Sequence, residues 1–314
     1  MTISSPREHR PLRGILYKLA SVVAFVLMAS LVKAAAAMGV PPGELVFFRS
    51  LCALPVILLW CLWQGGGLRS LRVVSPRAHI LRGIMGTAAM ACIFTGLGLV
   101  PLPEAVAIGY TTPLLVVVFA ALFLGEKVGW VRVSAVLAGL LGVGIILSPR
   151  LGADGGLSGP GAFGAGILVL GAALAALTQV YIRHMVRTET TAATVFWFAV
   201  SASVMALASA PMGWVLPGPS AAAVLILAGL LGGVAQIFLT SGYRVAEAST
   251  VAPFEYASML VSLVLGYAVF DETPTRQVLI GAAVVILAGV VIILRERRLG
   301  LERGKARPRM TPQG

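Results

Sequence analysis

The sequence predicts an all-α integral membrane protein of ten transmembrane helices, arranged as two inverted five-helix repeats. Three observations predict it. First, 58% of the 314 residues are hydrophobic and 11% are charged, whereas about a quarter of an ordinary soluble domain is charged. Second, apolar runs of about 20 residues, enough to cross a hydrocarbon core of about 30 Å, recur along almost the whole chain. Third, basic residues gather in every second connection, the pattern that sets helix orientation in a bilayer. Backbone in lipid must satisfy its own hydrogen bonds, and apolar runs without strict alternation exclude a β-barrel, so the spans are helices.

In chain order the predicted spans are 15–37, 45–63, 80–100, 105–124, 131–147, 162–182, 194–210, 221–240, 248–270 and 278–294. The first follows Arg7, Arg10 and Arg13. It exceeds the apolar core of about 7 to 15 residues in a secretory signal, and Lys33 interrupts its end, so it reads as a retained helix. Basic residues mark the N-terminal tail, the loop with Arg69, Arg72 and Arg77, Lys127, Arg183 and Arg187, Arg244, and the tail from Arg295. The alternate connections carry only Arg150 and Arg276. An even number of spans with both termini cytoplasmic satisfies this pattern throughout.

A repeat runs through the chain. VAIGYTTPLLVVVFAALFLGEKVGW followed by VSAVLAGLLGVGIIL has a counterpart in VAPFEYASMLVSLVLGYAVFDETPTR followed by VLIGAAVVILAGVVIIL. Tyr110 then falls on Tyr256 and Glu126 on Glu272, and one inserted residue brings Gly142 onto Gly289. Five spans per half is an odd number, so the halves enter the membrane from opposite sides, as in carriers that alternate access around a central site. The expected divisions are a cytoplasmic tail at 1–14, a first repeat at 15–148, a periplasmic linker at 149–160, a second repeat at 161–294 and a basic cytoplasmic tail at 295–314. Pro55, Pro113 and Pro253 lie inside spans, and helix breaks are expected at Pro113 and Pro253; proline removes a backbone donor and is tolerated where freed carbonyls face protein or water. Small residues such as Gly83 and Gly86, Ala135 and Gly139, and Gly229 with Gly232 and Gly233 provide for close helix contact.

The formal net charge of +12 is spread over connections and tails rather than one helix face, which argues against a nucleic-acid partner. Cys52, Cys61 and Cys92 fall inside spans without metal-like spacing and read as packing residues. His9, His79 and His184 lie in tails or near span ends, and neither HExxH nor GxSxG occurs, so the sequence lacks an enzyme's constellation. No metal or cofactor is expected. A channel would call for rings of like groups around a pore, which a lone carboxylate in a span does not supply.

The sequence resembles the drug/metabolite transporter superfamily, EamA type. The likeness extends over roughly 15–294 and rests on LFLGEKVGW and YAVFDETPTR, on KAAAAMGVPPGELVFFRS between the first two spans, and on APFEY at 252–256. Asp271 departs from the first half, which has Gly125. The resemblance implies a multi-pass protein of the cell inner membrane that carries a small metabolite. Members carry amino acids, riboflavin, S-adenosylmethionine, carboxylates or amine-containing metallophores, some inward and some outward.

Ionisable groups within spans should face protein or water and have a partner. Glu255, counted along a helix from Glu247, falls about 12 Å into its span, near the midplane. Arg49 and Lys33 lie nearer the outer ends of theirs, and Glu44 at the membrane edge. Glu255 is expected to bind a cationic group or exchange a proton, with Arg49 or Lys33 meeting an anionic group; the alternative is a static ion pair of Glu255 with Lys33 or Arg49. Tyr110 and Tyr256 are the aromatic candidates for a substrate cavity, ahead of Trp197, Tyr181, Gln179 and Gln236.

Overall fold

A computed structural model describes residues 11–63, 67–125, 129–150, 159–185, 188–246 and 251–306. Among these the secondary structure is helical throughout, without strands. The helices are α1 (Pro11–Ala37), α2 (Pro42–Trp63), α3 (Pro76–Leu97), α4 (Leu102–Gly109), α5 (Thr111–Leu124), α6 (Trp130–Leu147), α7 (Pro160–Met185), α8 (Thr191–Leu207), α9 (Pro219–Val245), α10 (Ala257–Phe270) and α11 (Arg276–Ala306). A 3₁₀ turn at Ala252–Tyr256 leads into α10. Taking α4 with α5 and this turn with α10, nine helical segments among the described residues are long and apolar enough to cross a membrane. The tenth expected crossing is α8, whose 17 residues reach about 25 Å at 1.5 Å per residue, short of a typical core.

Several boundaries differ from the sequence expectation; α3 starts at Pro76 and α9 runs on to Val245. Helix α1 starts at Pro11 and α11 continues to Ala306, because Leu, Arg, Lys and Glu beside the apolar cores are strong helix formers. The sequence linker falls largely outside the described residues, as do Glu126, Lys127 and Glu247.

Helix pairing is made through small residues, as expected where lipid removes the hydrophobic drive for association. The most extensive pairs are α1 with α9, α3 with α7, α2 with α9, α3 with α8, α5 with α7, α1 with α10, and the three crossings α2 with α8, α4 with α10 and α6 with α11. At the last crossing a methyl group on Gly142 would lie 2.9 Å from the Gly281 carbonyl oxygen, so the two backbones run in direct contact. Gly83 meets Ser201 of α8, and Gly229 and Gly233 meet Cys52 and Val56 of α2.

The fourth span is interrupted at Tyr110, three residues before Pro113 rather than at it. Pro113 has no N–H to give the Gly109 carbonyl, so α4 ends at Gly109 and Pro113 occupies the first turn of α5, where its missing donor is harmless. The Thr111 hydroxyl donates to the Ile108 carbonyl at 2.6 Å, satisfying one acceptor at the interruption. Pro253 lies within the 3₁₀ turn, and the helix proper resumes at Ala257. Pro55 sits inside an uninterrupted α2.

Both interrupted spans stop in the same way. Gly125 after α5 has φ 64° and Asp271 after α10 has φ 53°. Aspartate is among the few L-residues that enter the left-handed region as single residues, so the departure at Asp271 keeps the turn that glycine makes in the first half.

Candidate functional site

The interrupted spans meet at Tyr110 and Tyr256. Their ring centroids are 5.1 Å apart at 70°, an edge-to-face contact. The Ser258 hydroxyl donates to the Glu255 carbonyl at 2.7 Å. The Tyr110 hydroxyl therefore donates to Ser258 Oγ, 2.6 Å away, and also approaches the Tyr256 carbonyl at 3.3 Å. An aromatic ring of one half is thus tied to the backbone that carries Glu255 in the other. The Tyr256 hydroxyl fits against α11 only because residue 289 is glycine, since a Cβ there would fall on the hydroxyl oxygen.

Glu255 pairs with Lys18 of α1, Oε2 to Nζ at 2.6 Å. The lysine is 2% exposed and the carboxylate 53%, so one partner is sealed in protein and the other keeps an open face. The sequence had nominated Lys33 or Arg49 as partner; neither pairs with Glu255. Gly14 packs against Ala246, and Lys18 lies one helical turn further along α1, about 6 Å. Glu255 itself lies in a 3₁₀ turn rather than in a straight α-helix.

Lys33 serves elsewhere. Its ammonium donates to the Leu97 and Val100 carbonyls and lies 3.0 Å from Glu272 Oε1. Glu272 Oε2 accepts from the Leu102 N–H, 2.7 Å away, which fills an orphan donor at the start of α4. This cluster lies at the other end of α1 from Lys18. Glu44, 1% exposed, accepts from the Val215 N–H at 3.2 Å at that same end.

At the end holding Arg77, Glu189 is buried between α7 and α8 and accepts from Val74 N and Ser75 N, with His79 Nε2 3.3 Å away. Burial pushes its carboxyl up, but the Ser75 N–H, His79 and the Val74 N–H outweigh that and hold it below the usual range. The Trp197 indole donates to the Leu71 carbonyl at 2.9 Å and so braces this end. Among the described residues, no three His, Cys, Asp or Glu side chains converge as metal ligands.

Arg49 and Arg82 border one internal cavity of about 50 Å³, with Phe198, Gly232 and Gln236 among its other walls. The sequence singled out Arg49 but missed Arg82 and Lys18, both close to the predicted starts of spans and so easily taken for boundary charges. A charge inside an apolar run was the available signal.

The profile of the EamA-like transporter family matches residues 12–148 and again 162–295. The chain belongs to the EamA-like transporter family. Among curated relatives, this EamA-like protein is 28% identical to an S-adenosylmethionine uptake transporter of Rickettsia felis, over 81% of its own length and 84% of the relative's. It is 31% identical to a riboflavin transporter of Rhizobium johnstonii over 74% and 75%, and 28% identical to a pseudopaline exporter of Pseudomonas aeruginosa over 89% and 95%. A solved crystal structure matches it with TM-score 0.65 and 25% identity, covering 94% of this chain and 99% of that one. The family and these relatives are transporters.

Proposed function

We propose that this EamA-like protein is a secondary carrier that moves a small organic metabolite across the cell inner membrane by alternating access. In this reading its two five-helix halves thread the bilayer in opposite senses and both termini are cytoplasmic. The observation that carries it is the half-open Lys18–Glu255 pair beside two interrupted spans joined through Tyr110 and Tyr256. Interrupted helices in corresponding places of two halves are where inverted-repeat carriers bind their cargo.

The pairing of helices supports the two-half reading. Numbering the spans one to ten and exchanging each with the one five places on turns α1–α9 into α7–α3, α2–α9 into α8–α3, and α5–α7 into α10–α1. The crossings α2–α8, α4–α10 and α6–α11 map onto themselves. A pseudo-twofold relation between the halves accounts for every one of these pairs.

Glu255 offers its open face to an ammonium or other cationic group of the substrate, or to a proton, while Lys18 holds the opposite oxygen. Substrate arrival would compete for this carboxylate, and Tyr110 would pass the change to the first half. Lys33 and Glu272 we assign to closure of the periplasmic end. Riboflavin, S-adenosylmethionine and amino acids are the first candidates, the first two on the relatives' names. An uptake and efflux screen in cells making the chain, beside Glu255→Gln at equal membrane level, tests this. Transport of one such metabolite by the wild type and its loss in the variant is expected; equal transport by both would remove Glu255 from the mechanism. Saturable counterflow separates a carrier from a channel. Transport indifferent to a collapsed proton gradient would exclude proton coupling.

A second reading is export of a metallophore or drug-like compound. It is favoured by the pseudopaline exporter, whose alignment extends over 95% of that relative. Vesicles of opposite orientation distinguish the two directions.

A further inference from the structure

The cavity between Arg49 and Arg82 is built from spans two and three of the first half and spans seven and eight of the second. Arg49, Ala53 and Ile57 come from α2, Arg82 from α3, Val195, Phe198 and Ala199 from α8, and Gly232 and Gln236 from α9. Exchange of the halves maps this set of helices onto itself, so the cavity lies between the halves. No acidic side chain lines it.

Both guanidinium groups are turned inward. The Nε of each is buried without a hydrogen-bond partner, and among the described residues neither side chain meets a carboxylate. Arg82 lies over the Phe198 ring, 4.1 Å from its centroid. That contact serves the face of the guanidinium but leaves its N–H edge unsatisfied. Both cations border the same small cavity. Room has been made for them: a Cβ on Gly232 would lie 3.2 Å from Arg49 Nε, and one on Gly86 would lie 2.6 Å from an Arg82 terminal nitrogen. Arginine keeps its charge under these conditions, so two like charges in a low-dielectric interior with no counter-charge call for an anion.

We propose that Arg49 and Arg82 form an oxyanion-binding subsite that takes a carboxylate-type group of the transported molecule. The planar N–H forks of arginine suit a two-oxygen anion. The cavity of about 50 Å³ exceeds the roughly 10–15 Å³ that one water requires on such a measure. The apolar wall of Ala53, Ile57, Val195 and Ala199 excludes water from the bound group and strengthens its attraction to the arginines. Gln236 supplies an amide donor. The subsite rests on the carrier reading and narrows it to substrates that bear an oxyanion, with Glu255 left to meet a cationic group elsewhere on the same molecule.

The test is a titration of the purified full-length chain in detergent with sodium acetate and, separately, inorganic phosphate, at constant ionic strength. Thermal midpoint is the readout. A saturable rise with acetate is expected in the wild type, with apparent affinity at least about tenfold weaker in Arg49→Gln and Arg82→Gln, a loss of about 1.4 kcal/mol or more. Arg276→Gln, which removes an exposed arginine at the other end, should respond as the wild type does. Ala199→Val fills the cavity without altering charge and should also abolish the response, which covers the case in which the arginine variants do not fold. Absence of a saturable response to either anion in the wild type, or an unchanged response in the folded variants, overturns the subsite.

The source of the oxyanion is decided in proteoliposomes. Acetate that raises KM for the transported metabolite without changing maximal rate assigns the subsite to the substrate's own group. A transport rate that instead depends on added phosphate at constant KM assigns it to a co-bound inorganic anion and overturns the substrate assignment. An anion response in a chain that transports no metabolite would remove the carrier reading and leave the anion site standing. Transport without any anion response would do the reverse.

Discussion

The Lys33 ammonium of α1 lies 3.0 Å from Glu272 Oε1, at the left-handed turn that ends α10. Both side chains are largely enclosed, 13% and 15% exposed. Breaking such a pair from one side leaves the other charge uncompensated, which typically costs about 3–5 kcal/mol, whereas replacing both partners by apolar groups is often nearly neutral. Lys33→Met and Glu272→Met should therefore each lower the thermal midpoint in detergent, and the double variant should recover part of the loss, the Leu102 N–H staying without its acceptor. A double variant as unstable as the sum of the singles would show that the two residues act independently.

The contact of Tyr256 with residue 289 predicts a second pair of effects. Gly289→Ala places a methyl group where the Tyr256 hydroxyl lies, and over-packing of this kind costs about 1–3 kcal/mol. Adding Tyr256→Phe removes the hydroxyl and should restore part of the stability. If the single Gly289→Ala variant unfolds at the wild-type temperature, the close approach of α11 to Tyr256 is wrong.

Glu189 gives a pH dependence. Its folded-state pKa is depressed, so its contribution is complete above the ordinary glutamate value of about 4.3 and is lost as pH falls through the folded value. The wild type should be more stable than Glu189→Gln at pH 6, and the gap should close as the pH is taken toward 3. The groups facing this carboxylate are the Val74 and Ser75 N–H groups and His79. A gap that stays constant down to pH 3 would mean that the depressed carboxyl does not govern the stability of this anchor.

If the two halves thread the bilayer in opposite senses, as proposed, reporters will act at defined places. An enzyme reporter active only in the cytoplasm, fused after Gly314 or before Met1, should be active at both ends. The same reporter inserted between Gly155 and Gly156 should be silent and a periplasmic one active. Termini on different faces would remove the pseudo-twofold relation on which alternating access depends.

Much of the architecture is written as one-dimensional pattern. Span length is a property of composition, so the apolar runs located the helices to within a turn or so at most ends. Proline chemistry told that the fourth and ninth spans would be irregular, but it is the carbonyl four residues earlier that loses its partner. Pro113 thus marks a break at Gly109 and Tyr110, upstream of itself. Likewise Asp271 looks like a lapse in the repeat until its backbone is seen to share the positive φ of Gly125.

Partner choice was the part that the sequence by itself left open. Apolar content, the family signature, the alignment of Tyr110 with Tyr256 and the presence of Glu255, Arg49 and Lys33 inside spans are all local facts about the chain. Which charge meets which depends on helix rotation and crossing, set by contacts between residues far apart in sequence: Gly14 on Ala246 brings Lys18, not Lys33, to Glu255. The packing of α3 against α8 likewise brings Arg82 to the cavity of Arg49. In a bilayer these rotations follow from close backbone approach and the pairing of buried polar groups, and only the tertiary structure decides them.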